Sequence, residues 1–171
     1  ATQTASGSAN LSFTSGIDST YDSYVFKYYD IHPATDNADF EFNMTIDGTN
    51  WNVTKTTTTF YSYHMEDNSG AGLTYEAAYD LAQGTGFQYL AADIGNGNDE
   101  SASGELSIYS PSSTTFVKHF LHSGNRYVGS NISANDFVAG YGNITSAVTG
   151  IQFKMSSGNI DSGVIKLYGV S

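Results

Sequence analysis

Cysteine is absent from this 171-residue chain, so neither a disulfide nor a thiolate metal ligand can form. Stability must therefore come from a packed core or from association. Basic residues are scarce as well: six Lys and Arg stand against 17 Asp and Glu, the formal net charge is -11, and Arg126 is the single arginine. Phosphate binding needs clustered Lys and Arg, which argues against a nucleic-acid partner, and the same acidity disfavours anionic membranes. No apolar run approaches the ~20 residues that span a bilayer. Proline occurs only twice. No internal repeat of fixed period is visible, which argues against a solenoid or propeller.

What the chain does contain is strand-forming material. Thirteen Tyr, ten Phe and many Thr and Val favour a pleated, half-buried surface, while 18 Gly and abundant Asn supply turns. The cleanest alternation is FEFNMTI (40–46), which sends Phe40, Phe42, Met44 and Ile46 to one face and Glu41, Asn43 and Thr45 to the other. DGTN (47–50) then reads as a hairpin turn into the long β-branched run WNVTKTTTTFYSYHM, a long or bulged strand. YVFKYYDI (24–31), GELSIYS (104–110), TFVKHFLH (115–122), DFVAGY (136–141), GIQFKMS (150–156) and GVIKLYGV (163–170) share the period of two. Only LTYEAAYDLAQ (73–83) has helical flavour. The expectation is an all-β fold, an antiparallel β-sandwich of jelly-roll type with at most one short helix. It comprises one domain over 11–171, with the last strand inside a sheet. The polar, small-residue stretch 1–10 reads as a flexible N-terminal arm.

No constellation points to catalysis. There is no G-x-S-x-G elbow, and 17 acidic residues neither single out nor exclude a carboxylate pair. In YHMED (63–67), His64 and Glu66 are ordinary i, i+2 neighbours, and a strand would send His119 and His122 of KHFLH to opposite faces, so a shared metal site is disfavoured. No cofactor is expected. Calcium is the one ion the loops DNSG (67–70) and GNGNDE (95–100) would suit, although neither matches the twelve-residue loop with its closing Glu. Sequons begin at Asn10, Asn43, Asn52, Asn131 and Asn143, in a chain rich enough in Asn, Ser and Thr to make them by chance. Aromatic residues carry more: Trp51 beside its turn, with Tyr61, Tyr63 and His64, are the candidate contacts for a glycan or a partner subunit.

Three segments, SFTSGIDSTYDSYVFKYYDIHPATDNADFEF (12–42), YLAADIGNGNDESASGELSIYSPSSTTFVKHF (89–120) and FVAGYGNITSAVTGIQFKMSSGNIDSGVIKLYGVS (137–171), together with YHMED, resemble structural proteins of marine tailed bacteriophages. The resemblance runs from about residue 10 to the end. It implies a decoration, head-fibre or fibre-tip domain on the virion surface, outside the cell, and brings no catalytic motif. The absence of a long preceding fibre segment favours a stand-alone decoration or head-fibre subunit. The expected function is therefore that of a virion structural protein, a homotrimer docked on a capsid or fibre protein of the same particle. The alternative is an adhesin module that binds surface glycans, and a depolymerase is the least favoured.

Overall fold

A computed structural model describes residues 1–171. Thirteen strands and a single turn of 3-10 helix (Ala77–Tyr79) follow in chain order. They are β1 (Thr2–Ser8), β2 (Leu11–Phe13), β3 (Ser23–Pro33), β4 (Ala38–Thr45), β5 (Lys55–Met65), β6 (Ala71–Tyr75), β7 (Ala82–Gly84), β8 (Gln88–Ile94), β9 (Ala102–Tyr109), β10 (Lys118–Val128), β11 (Ile132–Gly142), β12 (Gly150–Met155) and β13 (Ile160–Val170). Every pairing is antiparallel. The larger sheet runs β1-β13-β3-β9-β10-β11-β5, with β6 and β7 both on the far edge of β5. The smaller runs β8-β4-β12-β2. The two join at one corner, where Val128 of β10 pairs with Ile94 of β8. On the opposite side the Gln3 amide donates to the Ser12 carbonyl at 2.6 Å, bringing β1 beside β2 and nearly closing the layers. The result is an all-β antiparallel sandwich of jelly-roll-like form, and β13 lies inside the larger sheet between β1 and β3.

Alternation explains the core. In β3, Tyr24, Phe26 and Tyr28 are buried, while Lys27 and Tyr29 face water. Phe40 and Phe42 of β4 meet them with Phe153 of β12 and Phe13 of β2. Phe40 stacks on Phe153 at 5.6 Å, and Phe13 meets Phe26 edge-on at 5.3 Å. Such pairs add about 0.5–1.5 kcal/mol each beyond the area they bury.

Three expectations need correction. Residues 2–8 are not an arm: β1 pairs with β13 from Thr2–Lys166 to Ser8–Ile160, held by backbone bonds that its small side chains do not advertise. The DGTN turn does not make a hairpin, because β4 lies in the smaller sheet and β5 in the larger. The turn itself is real, since the Asp47 carboxylate accepts the N–H groups of Thr49 and Asn50 and Gly48 takes φ +79. Of the two forms expected for the run that follows, β5 takes the long one: it pairs with β11 in unbroken register from Lys55–Gly142 to Met65–Ile132, and the one register shift lies on its other edge, against β7. Finally, β4 is buried on both faces rather than one. Glu41 pairs with Lys154 at 3.2 Å, Asn43 is fully buried and bonded, and Ile46, just past the strand, is exposed instead.

Candidate interaction surface

The register of the larger sheet assigns its outward side chains row by row. One row crosses six strands as Thr58, Ala139, Leu121, Ser107, Val25 and Tyr168. The next runs Phe60, Phe137, Ser123, Glu105, Lys27 and Lys166. On the other flank lie Tyr141, His119, Tyr109, Ser23 and Val170. This face exposes apolar surface that a strand would ordinarily hide. Leu121 is 52% exposed, Phe60 stacks on Phe137 at 4.9 Å, and Phe116, just before β10, is 70% exposed at the margin. A shallow groove of about 350 Å³ follows the seam between Phe60, Phe137, Leu121 and Tyr109, with Ser107, Ser123 and Glu105 along its floor and side.

The charge on this face is as informative as its apolarity. In these three rows Glu105 is the only acidic side chain of the chain's 17, and it is paired with Lys27 at 3.3 Å. Lys166 of the same face sits over the Tyr29 ring at 5.4 Å. An acidic protein has thus placed almost none of its negative charge on its most apolar surface. The three rows carry one acidic and two basic side chains, against a net charge of -11 for the chain, and aromatic residues of the kind enriched at interface centres.

The four residues singled out from sequence are not brought together. Trp51 precedes the Lys55 end of β5, half-buried, with its ring edge toward Gly150 and its carbonyl accepting the Asn43 amide at 2.7 Å. Tyr61 and Tyr63 lie near the Met65 end of β5 on the inward row, ring centroids 6.1 Å apart, and Tyr61 lies beneath the Arg126 guanidinium at 5.5 Å. His64, between them and the strand end, turns outward and is exposed. The residues that do form the exposed face, Phe60, Leu121, Phe137 and Tyr109, sit in segments that read simply as strands. Their signal was consecutive apolar residues, as in Phe120-Leu121 and Phe137-Val138, which alternation sends to both faces of a sheet.

Behind this face the inner rows of β10, β11 and β5 set a polar cluster beside the buried Phe120 and Val138. The Arg126 Nε donates to Asp136 Oδ2 at 2.8 Å, both side chains being only 4% exposed. Burial pushes the Asp136 carboxyl up, opposed by Arg126. The Tyr28 hydroxyl is hydrogen-bonded at 2.8 Å to Nε2 of His122, and burial drives that imidazole down to about 3, so it is neutral. Gly104 and Gly124 face each other across β9 and β10 to admit the hydroxyl, and a Cβ at Gly124 would collide with it. His119, by contrast, faces outward beside Tyr141, as alternation required.

No group of three or more His, Cys, Asp or Glu side chains is arranged to hold a metal ion. In the two loops considered for calcium, the Asp67 carboxylate accepts the Ser69 N–H and the Glu100 carboxylate accepts the Gly97 N–H, each serving its own turn. Of the sequon asparagines, Asn43 is buried and fully bonded, whereas Asn10, Asn52, Asn131 and Asn143 are exposed. No protein-family model, curated protein or solved structure matches the chain.

Proposed function

We propose that this chain is a structural subunit of a tailed-phage particle, assembling with copies of itself as a homotrimer at the virion surface and docking on a capsid or fibre protein. The observation that carries the assembly reading is the apolar, nearly acid-free outer face of the larger sheet on a protein of net charge -11. Two such faces can approach without the repulsion that the rest of the surface imposes, and burying Leu121, Phe60 and Tyr109 supplies the hydrophobic gain. The assignment to a phage particle rests on the resemblance of the three long segments described above. Sedimentation of the purified protein tests the assembly. A trimer that dissociates on Leu121→Glu supports it, and a monodisperse monomer that ignores its own particle sinks it.

A second reading draws on the groove itself. Tyr109 and Phe60 offer apolar surface for a sugar ring, and Ser107, Ser123 and Glu105 offer hydrogen bonds, the mixture a glycan site requires. A glycan array probed with and without calcium separates this adhesin reading from pure assembly. Hits lost on Tyr109→Ala would favour it, and a blank array would remove it.

A further inference from the structure

Lys55 is the least expected residue of the interior. It is fully buried, and no carboxylate pairs with it: its Nζ donates to the Val53 carbonyl at 2.8 Å and to Oδ1 of Asn43 at 2.6 Å. Lys118, the other interior lysine, makes the instructive contrast. Its Nζ donates to the backbone carbonyls of Phe116 and Ile144, at 2.6 and 3.4 Å, and no side-chain amide takes part. Burial alone acts on the Lys55 ammonium and lowers it to about 7, so near neutrality much of it is free amine with a nucleophilic lone pair.

The amide opposite is held as an electrophile. Oδ1 of Asn43 accepts the Met44 N–H at 2.9 Å, one donor at the oxygen on which charge would develop, while its hydrogen bond from Nζ holds the attacking nitrogen beside the amide. Its Nδ2 donates to three carbonyls, those of Trp51, Thr85 and Gly86, at 2.7, 3.0 and 3.2 Å. Three acceptors around one amide nitrogen suit it better still once it has gained a further hydrogen. The carbonyl bond is about 1.23 Å, so Cγ lies no more than about 3.8 Å from Nζ, close to the spacing of reacting atoms.

We propose that Lys55 and Asn43 become joined by an intramolecular isopeptide bond. The Lys55 amine attacks Cγ of Asn43, the bond from Nζ to Cγ forms, and the bond from Cγ to Nδ2 breaks. One amine proton passes to Nδ2, which leaves as ammonia, so no oxidant, reductant or co-reactant is needed. No carboxylate touches the pair to relay that proton. The rate rests on enforced proximity and on the polar groups around the amide, which makes the bond a slow maturation of the folded protein. The product replaces a buried amine by a neutral amide and ties β4 of the smaller sheet to β5 of the larger.

The test is the intact mass of the folded, purified protein before and after prolonged incubation, followed by chymotryptic digestion, which cuts between the two residues at Trp51. The expected result is a mass lower than that of the sequence by one ammonia, mapped to a branched peptide joining residues 43 and 55. Asn43→Asp should lose one water instead, and Lys55→Met should keep its full mass. An unchanged wild-type mass after incubation overturns the proposal. So does an ammonia loss that maps to a succinimide at another asparagine.

Discussion

Between β3 and β13 on one side and β12 and β2 on the other, the interior is aromatic: Phe13, Phe26, Phe40 and Phe153 contact one another with no polar group among them. A few strands away, under β10, β11 and β5, the same layer holds Thr57, Thr59, His122, Arg126 and Asp136, all buried. The first region gains its stability from area and accepts many apolar solutions of similar volume. The second gains little net stability from its polar contacts, but each of its groups costs heavily if left without a partner. One half of the sandwich is held together by burial, and the other is held to a single arrangement by hydrogen bonds. The second half also carries the apolar outer face, so the arrangement of that surface rests on the costlier interior.

Phe153→Ala should cost the most, about 3–5 kcal/mol, because three neighbouring rings cannot collapse into the space. Urea unfolding measures it, and a much smaller loss would mean that the aromatic half is loosely packed. Arg126→Met should cost nearly as much, about 3–5 kcal/mol, because it strands the Asp136 carboxylate. The comparison sharpens in the double variant Arg126→Met with Asp136→Leu, which should recover most of that loss, whereas no second change rescues Phe153→Ala in this way. Tyr28→Phe leaves His122 without its hydrogen-bond partner and should cost about 1–3 kcal/mol.

Acid should single out the polar half. His122 is held neutral down to about 3 when folded, while in the unfolded chain it takes a proton near its ordinary 6.5. The unfolded state therefore binds more protons as pH falls below that value. The contribution of His122 is complete above about 6.5 and declines toward 3, amounting to a loss of about 2 kcal/mol by pH 5. Lys55 has the same sign, but its window lies between its ordinary 10.5 and about 7. Unfolding midpoints at pH 7 and pH 5 should converge in His122→Gln, and an undiminished slope in that variant would assign the acid sensitivity elsewhere. The smallest effect on stability belongs to Leu121→Glu. Placed on the outer face, it should move stability by no more than about 0.5 kcal/mol while abolishing the proposed association.

The aromatic half is legible in the sequence on one face: a period of two sends Phe40, Phe42 and Met44 inward, although it also sends Glu41, Asn43 and Thr45 to solvent, where none of them lies. The polar half is not, because a period of two puts His122 and Arg126 in step with Phe120 and Asp136 with Val138, whereas the charge and polarity of these side chains point to solvent. Nothing local reveals that Arg126 will meet Asp136 across two strands, or that two glycines twenty residues apart will open a place for the Tyr28 hydroxyl. β1 is hidden in the sequence for a different reason. Its TQTASGS has only Ala5 to bury, and backbone pairing with β13 is a property of the partner as much as of the segment. An aromatic beside a turn, as Trp51 is, marks a candidate contact in the sequence. The outer face is built instead from strand interiors, where exposure depends on what the rest of the chain leaves uncovered.

The pairing of β1 with β13 also has a mechanical side. With Thr2 opposite Lys166, the outer ends of the two strands leave the sheet at the same end. Tension between residues 1 and 171 therefore loads their ladder as a zipper, and its hydrogen bonds give way one pair at a time. A load entering through the broad face of the larger sheet is shared instead across seven strands. The fold is weak when drawn out by its ends and strong when pressed against a neighbour.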